Sequence, residues 1–157
     1  MQNIDEIDYL LQHLTSLLAR NSDQILLEQL GLGYAQFKIL RVLNPGLAVK
    51  QRTIAAALGQ TEASISRQIK LLVVKGYITR STEPHNKRVR LIKITSKGQE
   101  IAKVSEEALA KYHSSLLSEF SEKQKANLLS SLESFHSQVC TVAHNPATDY
   151  INFITSS

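Results

Sequence analysis

The chain has 157 residues, of which 43% are hydrophobic and 20% charged, and its formal net charge of +4 and its size suit one globular domain. The longest apolar run, residues 54–58, is far shorter than the roughly 20 residues that span a bilayer, and the acidic amino terminus is unlike a secretory signal. The single cysteine, Cys140, excludes an internal disulfide, so we expect a cytoplasmic protein that does not contact membranes.

A long amphipathic helix is predicted over residues 3–29, because apolar residues recur there at steps of three and four. Two glycines end this helix, and a second helix follows over residues 34–43. An Asn-Pro-Gly turn at residues 44–46 then leads to a very short strand at residues 47–49. The apolar stripe of the first helix consists of Ile4, Ile7, Leu10, Leu11, Leu14, Leu17 and Leu18.

Two helices with little chain between them are predicted next, over residues 50–58 and 61–75. Gly59 ends the first, Thr61 is a suitable N-cap for the second, and Gly76 is the residue that ends it. A helix-turn-helix pair with a basic second helix is typical of DNA-binding proteins. The second helix is expected to bury Ile65, Ile69, Leu72 and Val73 and to expose Ala63, Ser64, Arg67, Lys70 and Leu71.

Positive charge is concentrated in the middle of the chain. Residues 50–98 contain eleven Lys or Arg and two acids, a net charge of +9, whereas the remainder has seven bases and twelve acids, a net charge of −5. This segregation indicates a polyanionic partner. Nucleic acid fits better than a membrane, because no basic amphipathic helix with aromatic anchors accompanies the charge.

A β-hairpin is predicted directly after the helix pair, with strands at residues 77–82 and 89–94 and a loop that contains Pro84. In that position a hairpin is a wing, which can reach a second groove of double-stranded DNA. Arg88 is the candidate for a narrow minor groove, and Lys87 and Arg90 are placed to contact phosphates. Taken alone, the hairpin would be read as a solvated charged surface.

The second helix of the pair carries the other expected DNA contacts. Arg67 is placed to bind guanine through two hydrogen bonds, and Lys70 to contact a phosphate. Ser64 points outward, and Ser64 and Thr61 could also bind phosphate at the helix amino terminus. Gln68 lies at the edge of the buried face, where a DNA contact and a structural role are both open.

Two further helices are predicted after the hairpin. The first begins at Thr95 or Ser96 and runs to about Phe120, and Ser121 with Gln124 forms a capping box for the second. The last helix has the coiled-coil spacing of four, three, four and three in its apolar stripe and ends before the Asn-Pro pair at 145–146. This stripe favours a partner helix and hence a homodimer, although packing within one chain remains open; it consists of Leu128, Leu132, Phe135, Val139 and Val142.

The chain resembles the MarR (multiple-antibiotic-resistance regulator) family, most sharply over residues 61–98. The family's Asp-Pro-x-Asp-x-Arg wing pattern is present with both acids altered, to Glu83 and Asn86, and its Leu-Thr-x-x-Gly motif reads Ile94 to Gly98. In the family the second acid helps to hold the wing arginine. Asn86 carries no charge, so the comparison implies a looser wing tip in this chain.

The resemblance implies a mainly α protein with a small β-hairpin wing, in which a winged helix-turn-helix domain is flanked by amino- and carboxyl-terminal dimerisation helices. Over the single domain of residues 1–157, the DNA-binding lobe would be residues 34–98 and the dimerisation helices residues 1–30 and 99–157. It also implies a homodimeric repressor that reads a palindrome and is released by a small-molecule effector. Side chains on the helices that border the effector cavity in relatives are Tyr9, His13, Arg20, Tyr34 and Tyr112.

Two other functions are consistent with parts of the sequence. His136, Cys140 and His144 share one face of the last helix, so a metal- or thiol-responsive regulator is an alternative, but each residue also suits an ordinary packing or edge role. A winged-helix module that binds protein through its hairpin is another. The sequence has no phosphate-binding glycine loop, nucleophile elbow or paired carboxylates, so we expect no enzyme, no metal and no cofactor.

Overall fold

The computed structural model describes residues 2–142, and side-chain burial is described for residues 3–139. Its mainly helical architecture confirms the predicted fold class. No helix in the described part is long and apolar enough to cross a membrane. The elements in chain order are α1 (Gln2–Leu30), α2 (Tyr34–Arg41), β1 (Val49–Lys50), α3 (Gln51–Ala57), α4 (Glu62–Val74), β2 (Ile78–Glu83), β3 (Asn86–Ile94), α5 (Ser96–Leu116) and α6 (Glu122–Val142).

One hydrophobic core joins the middle of the chain to the end of α1 and to α5. The buried apolar side chains come from seven elements, so the helix-turn-helix and the hairpin pack as one body against these two long helices. Removing this much apolar surface from water is the main stabilising term for the lobe. Its fully buried members include Leu26, Leu32, Ile39, Ile54, Ile65, Ile69, Leu72 and Ile92.

The sheet has the strand order β1-β3-β2, and both pairings are antiparallel. β3 begins at Asn86, earlier than predicted, because the hairpin turns tightly at Pro84 and His85. Thr82 pairs with Arg90, but the next partners are Glu83 and Asn86, so residues 87–89 form a bulge in β3. A bulge of this kind bends a strand and redirects its side chains.

α4 is delimited by the residues that the sequence indicated. The Thr61 hydroxyl accepts a hydrogen bond from the amide of Ser64 at 3.2 Å, which satisfies one of the free N–H groups of the first turn. At the other end Gly76 has a φ of 73°, and the amide of Tyr77 donates to the carbonyl of Leu72 at 3.0 Å. This is a Schellman motif, in which glycine adopts the left-handed conformation without steric cost.

The face of α4 was predicted correctly except at its edge. Ile65, Ile69 and Leu72 are fully buried, but the prediction that Val73 joins them is wrong, because its side chain is 37% exposed. One residue advances a helix by about 100°, which carries Val73 past the edge of the buried stripe. Leu71 and Val74 are also exposed, so neither packs on a neighbouring helix within the protomer.

α5 ends at Leu116 rather than at Phe120. Its last carbonyls accept i+3 hydrogen bonds from Leu117 and Ser118, which tighten the chain out of α-helical geometry. The predicted capping box then opens α6: Ser121 N–H donates to Gln124 Oε1 at 2.9 Å, and the Gln124 amide donates to the Ser121 hydroxyl at 3.3 Å.

Candidate nucleic-acid interface

The outer face of α4 presents two cations to solvent. Arg67 and Lys70 are exposed, on the side of the helix opposite to buried Ile65, Ile69 and Leu72. Arg67 lies in the second turn, within the amino-terminal half that meets base edges in helix-turn-helix proteins. An exposed basic face of this kind is the part of a helix-turn-helix that can enter a major groove.

Thr61 and Ser64 lie beside that face, but their side-chain oxygens already have partners in the protein. Besides the Thr61 cap, the Ser64 hydroxyl donates to Gln60 Oε1 at 3.3 Å. These bonds shape the first turn of α4 and set the direction from which it leaves the preceding turn. A phosphate oxygen can only accept, so a phosphate contact would need a hydroxyl proton: Thr61 uses only its acceptor in the cap, whereas Ser64 already donates its proton to Gln60.

Gln68 is half-buried and its side chain belongs to a polar link between elements. Gln36, which is buried in α2, donates to Gln68 Oε1 at 3.4 Å, and Lys75 Nζ donates to Gln36 Oε1 at 3.3 Å. Lys75 also donates to the carbonyl of Gly31, at the end of α1. These hydrogen bonds connect α4 to α1 and α2. Of the two roles expected for Gln68, a DNA contact and a structural role, they support the structural one.

The three wing cations predicted to contact DNA, Lys87, Arg88 and Arg90, are exposed and lie in the part of β3 nearest the tip. Lys87 and Arg88 lie in the β3 bulge, which frees them from pairing with β2. Asn86 Oδ1 accepts a hydrogen bond from the backbone N–H of Arg88 at 3.1 Å. The neutral side chain at this position thus braces the bulge through the backbone and leaves the Arg88 guanidinium free.

None of the cations predicted to contact DNA is neutralised by a carboxylate in the described part of the chain. The ion pairs there are Arg41 with Glu106, Lys50 with Glu83, and Lys125 with Glu122. Since Arg67, Lys70, Lys87, Arg88 and Arg90 take part in none of them, the positive potential of α4 and the wing faces solvent.

A small cavity that sequence reasoning missed joins the wing to the helix pair. It has a volume of about 160 Å³. The charge count of residues 50–98 included Lys50 and Arg52, but no spacing in the sequence places them beside the wing. The lining residues are Lys50, Gln51, Arg52, Glu62, Arg88, Val89 and Arg90.

The side chains predicted to line an effector cavity are spread along the long helices. Tyr9 stacks on His13 near the exposed start of α1, with ring centroids 5.4 Å apart, and Arg20 is exposed one to two turns before the core. The backbone N–H of Tyr34 donates to Asp23, about 20 Å along α1 from Tyr9 at 1.5 Å per residue. These residues therefore do not line one cavity within a protomer.

Tyr112 is the member of that set that lies in a defined depression. Its hydroxyl accepts a hydrogen bond from Asn21 Nδ2 at 2.8 Å, which joins α5 to α1. The adjoining cavity, between the same two helices, has a volume of about 350 Å³ and is lined by Ile25, Gln29, Ala108, Lys111, Tyr112 and Ser115.

The three residues considered for a metal or thiol sensor are only partly described. His136 lies in α6, the side chain of Cys140 is outside the described residues, and so is the whole of His144. Among the side chains that the structure does describe, no three His, Cys, Asp or Glu residues are grouped to hold a metal ion.

Comparison with known proteins supports the same reading of the fold. A family model described as MarR family matches residues 30–89. The HTH-type transcriptional regulator BilQ of Clostridium symbiosum is 27% identical over 106 residues, which cover 68% of this chain and 72% of BilQ.

Solved structures of MarR-type regulators superimpose along most of the chain. A putative MarR-like transcription regulator from Bacillus cereus covers 88% of this chain and 99% of its own with a TM-score of 0.77 at 21% identity. A MarR/EmrR family transcriptional regulator from Acinetobacter sp. ADP1 covers 87% and 96% with a TM-score of 0.69 at 26% identity.

Proposed function

We propose that the chain is a transcriptional regulator of the MarR family, whose model matches residues 30–89, and that it is a homodimeric repressor that binds a palindromic operator. The observation that supports this most directly is the solvent-facing charge of α4 and the wing. Five cations there lack a carboxylate partner within the described part of the chain, which suits a surface that exchanges water and counterions for DNA phosphates.

In the proposed complex α4 lies in the major groove and the wing follows the adjacent minor groove. Arg67 donates two hydrogen bonds to a guanine, and Lys70 contacts a phosphate beside it. Arg88 enters the minor groove, where guanidinium is favoured by the strong negative potential, while Lys87 and Arg90 contact the flanking phosphates. Residues 34–98 thus form the DNA-binding lobe.

Exposed apolar surface on the long helices supports the dimer. No described side chain of α6 is buried. Its apolar stripe is 40–51% exposed and consists of Leu128, Leu132, Phe135 and Val139. Apolar residues of α1 are exposed in the same way, among them Ile4, Ile7, Leu10 and Leu14. Burying both stripes against a second copy removes apolar surface that a monomer would leave in water.

A two-fold dimer presents two copies of α4 and two wings, so its operator is a palindrome with one half-site for each protomer. The cavity beside Tyr112 supports control by an effector. A small molecule wedged there would change the spacing of α1 and α5, and α5 begins directly at the base of the hairpin. The distance between the two α4 helices would then no longer match the distance between the half-sites, and the repressor would dissociate from its operator.

The salt dependence of binding to a random-sequence duplex tests this function. If a dimer contacts about ten phosphates, log K should fall with log salt concentration at a slope near −9. Fluorescence anisotropy with a labelled duplex measures it between about 50 and 200 mM salt. A slope near zero would instead favour a module that binds protein through the same hairpin.

A further inference from the structure

One buried polar side chain in the lobe lacks the partner that its position requires. Gln51, the first residue of α3, is 9% exposed, and its Oε1 is buried without a hydrogen-bond partner in the described structure. Buried amide groups are nearly always paired, because an unpaired one costs free energy on folding. Gln51 also lines the cavity between the helix pair and the wing, so a ligand there could pair with its amide, either as a donor to Oε1 or, with the amide turned by 180°, as an acceptor from Nε2.

The charge of the cavity indicates which ligand. Its lining holds four cations, Lys50, Arg52, Arg88 and Arg90, against one carboxylate, Glu62. Glu62 is exposed, whereas Lys50 is held beside the cavity by its ion pair with Glu83 at 3.3 Å. The cavity volume is about 160 Å³. A cavity needs only about 10–15 Å³ of volume to hold one water molecule, so a small anion fits together with several waters.

We propose that this cavity, whose cations Arg88 and Arg90 are also proposed DNA contacts but whose Gln51, Lys50 and Arg52 are not, is a binding site for one phosphate group, with the Gln51 amide as its buried donor and the four cations around it. Rotation of the amide by 180° about its last bond exchanges Oε1 for Nε2 and directs an N–H at a phosphate oxygen. Arg52, from α3, and Arg90, from β3, supply charge from two elements, which leaves Arg88 to the minor groove. An occupant therefore joins the wing to the helix pair.

A phosphodiester of the DNA backbone and a free phosphate share this chemistry. The first source rests on the proposed function, whereas the second does not. An ordered wing would follow from either, because the bound phosphate would hold the β3 bulge against α3.

Gln51→Met, which keeps the length of the side chain and removes its donors, tests the DNA source. Wild type and variant are titrated with the same random-sequence duplex. We expect the variant to bind about tenfold or more weakly, as for a lost hydrogen bond to a charged group, with an unchanged salt slope because no cation has been removed. Thermal melting should show the variant to be at least as stable as wild type, since an unpaired buried group is gone.

Two further variants make the result specific. Gln51→Glu, of nearly the same shape, should bind still more weakly because its charge repels a phosphate. Gln99→Met makes the same change at an exposed glutamine of α5 and should bind as wild type does.

Inorganic phosphate tests the other source. At constant ionic strength, replacing chloride by phosphate should raise the melting temperature of wild type more than that of Gln51→Met. Equal duplex affinity for wild type and Gln51→Met, together with an equal response to phosphate, would overturn the site. If wild type itself shows no salt-dependent duplex binding, the proposed function fails, and the phosphate response alone decides the cavity.

Discussion

At the scale of single residues, the cations on the proposed DNA-binding surface have different expected tasks. Arg67 projects from a helix whose far side is fully buried, so its backbone is fixed in place, which suits the proposed reading of a base edge. Arg88 projects from a strand bulge, where the backbone is braced by Asn86 but the side chain is unconstrained. A rigid support suits sequence recognition, whereas a free arginine on a bulge suits the minor groove.

Alanine substitutions should separate these tasks. Arg88→Ala should weaken binding to every duplex and make the salt slope shallower by about two per dimer, because each protomer loses one ionic contact. Anisotropy titrations at several salt concentrations measure both effects. Lys123→Ala, which removes the same charge from exposed α6, should change neither, and an equal loss in both variants would mean that only net charge matters.

Arg67→Ala should act on sequence preference. It should remove about 1–3 kcal/mol of discrimination at one base pair in each half-site, because the guanine loses two hydrogen bonds. Selection from a random duplex library, followed by sequencing of the bound fraction for wild type and variant, measures the preference. A variant whose selected sequences match those of wild type would exclude Arg67 from base recognition.

At the scale of elements, the wing is held to α5 by a joint at Thr95 and Gly98. The Thr95 hydroxyl caps α5 by accepting from the amide of Gly98 at 3.0 Å, and it lies 2.8 Å from the carbonyl oxygen of Gly76, to which it donates. A Cβ on Gly98 would lie 2.0 Å from the carbonyl oxygen of Tyr77. Only glycine lets α5 approach the base of the hairpin this closely, which explains the glycine of the Ile94 to Gly98 motif.

Gly98→Ala should therefore destabilise the lobe by about 1–3 kcal/mol or more, the usual cost of overpacking, since the obstructing atom belongs to the backbone. Urea unfolding followed by circular dichroism measures the change. Ser96→Ala, an exposed change in the same turn, serves as the control and should leave stability nearly unaltered. A Gly98→Ala protein as stable as wild type would show that α5 can move away from the hairpin freely.

At the scale of the whole molecule, one protomer leaves two of its longest helices with uncovered apolar stripes. α6 contributes no buried side chain among those described, so its stability is expected to come from a partner rather than from its own chain. The proposed DNA-binding lobe, by contrast, has a core that it shares with the end of α1 and with α5, and to which no described side chain of α6 contributes. A substitution in α6 is therefore expected to change dimerisation without unfolding the lobe of residues 34–98.

Leu132→Glu places a charge in the middle of the α6 stripe and should convert the dimer to a monomer, because an unpaired carboxylate would be buried in the interface. Sedimentation equilibrium measures the mass. The monomer should keep a folded lobe but bind the duplex far more weakly, since it grips one half-site only. Ser130→Glu, on the opposite side of α6, should remain dimeric; a dimeric Leu132→Glu protein would contradict the proposed interface.

Local patterns in the sequence were sufficient for the order of elements, the caps of α4 and α6, the buried stripe of α4 and the basic middle of the chain, because each depends on residues a few positions apart. The sequence also indicated the exposed cations of α4 and the wing. It did not indicate the bulge in β3 that carries Lys87 and Arg88.

Tertiary structure alone decided what depends on residues distant along the chain. The link from Gln36 to Gln68 spans 32 positions, the Gly98 joint requires the carbonyl of Tyr77, and the phosphate cavity is formed only when α3 meets the β3 bulge. The periodicity of a sequence does not specify such long-range contacts, because they depend on how the helices and the hairpin pack around the core.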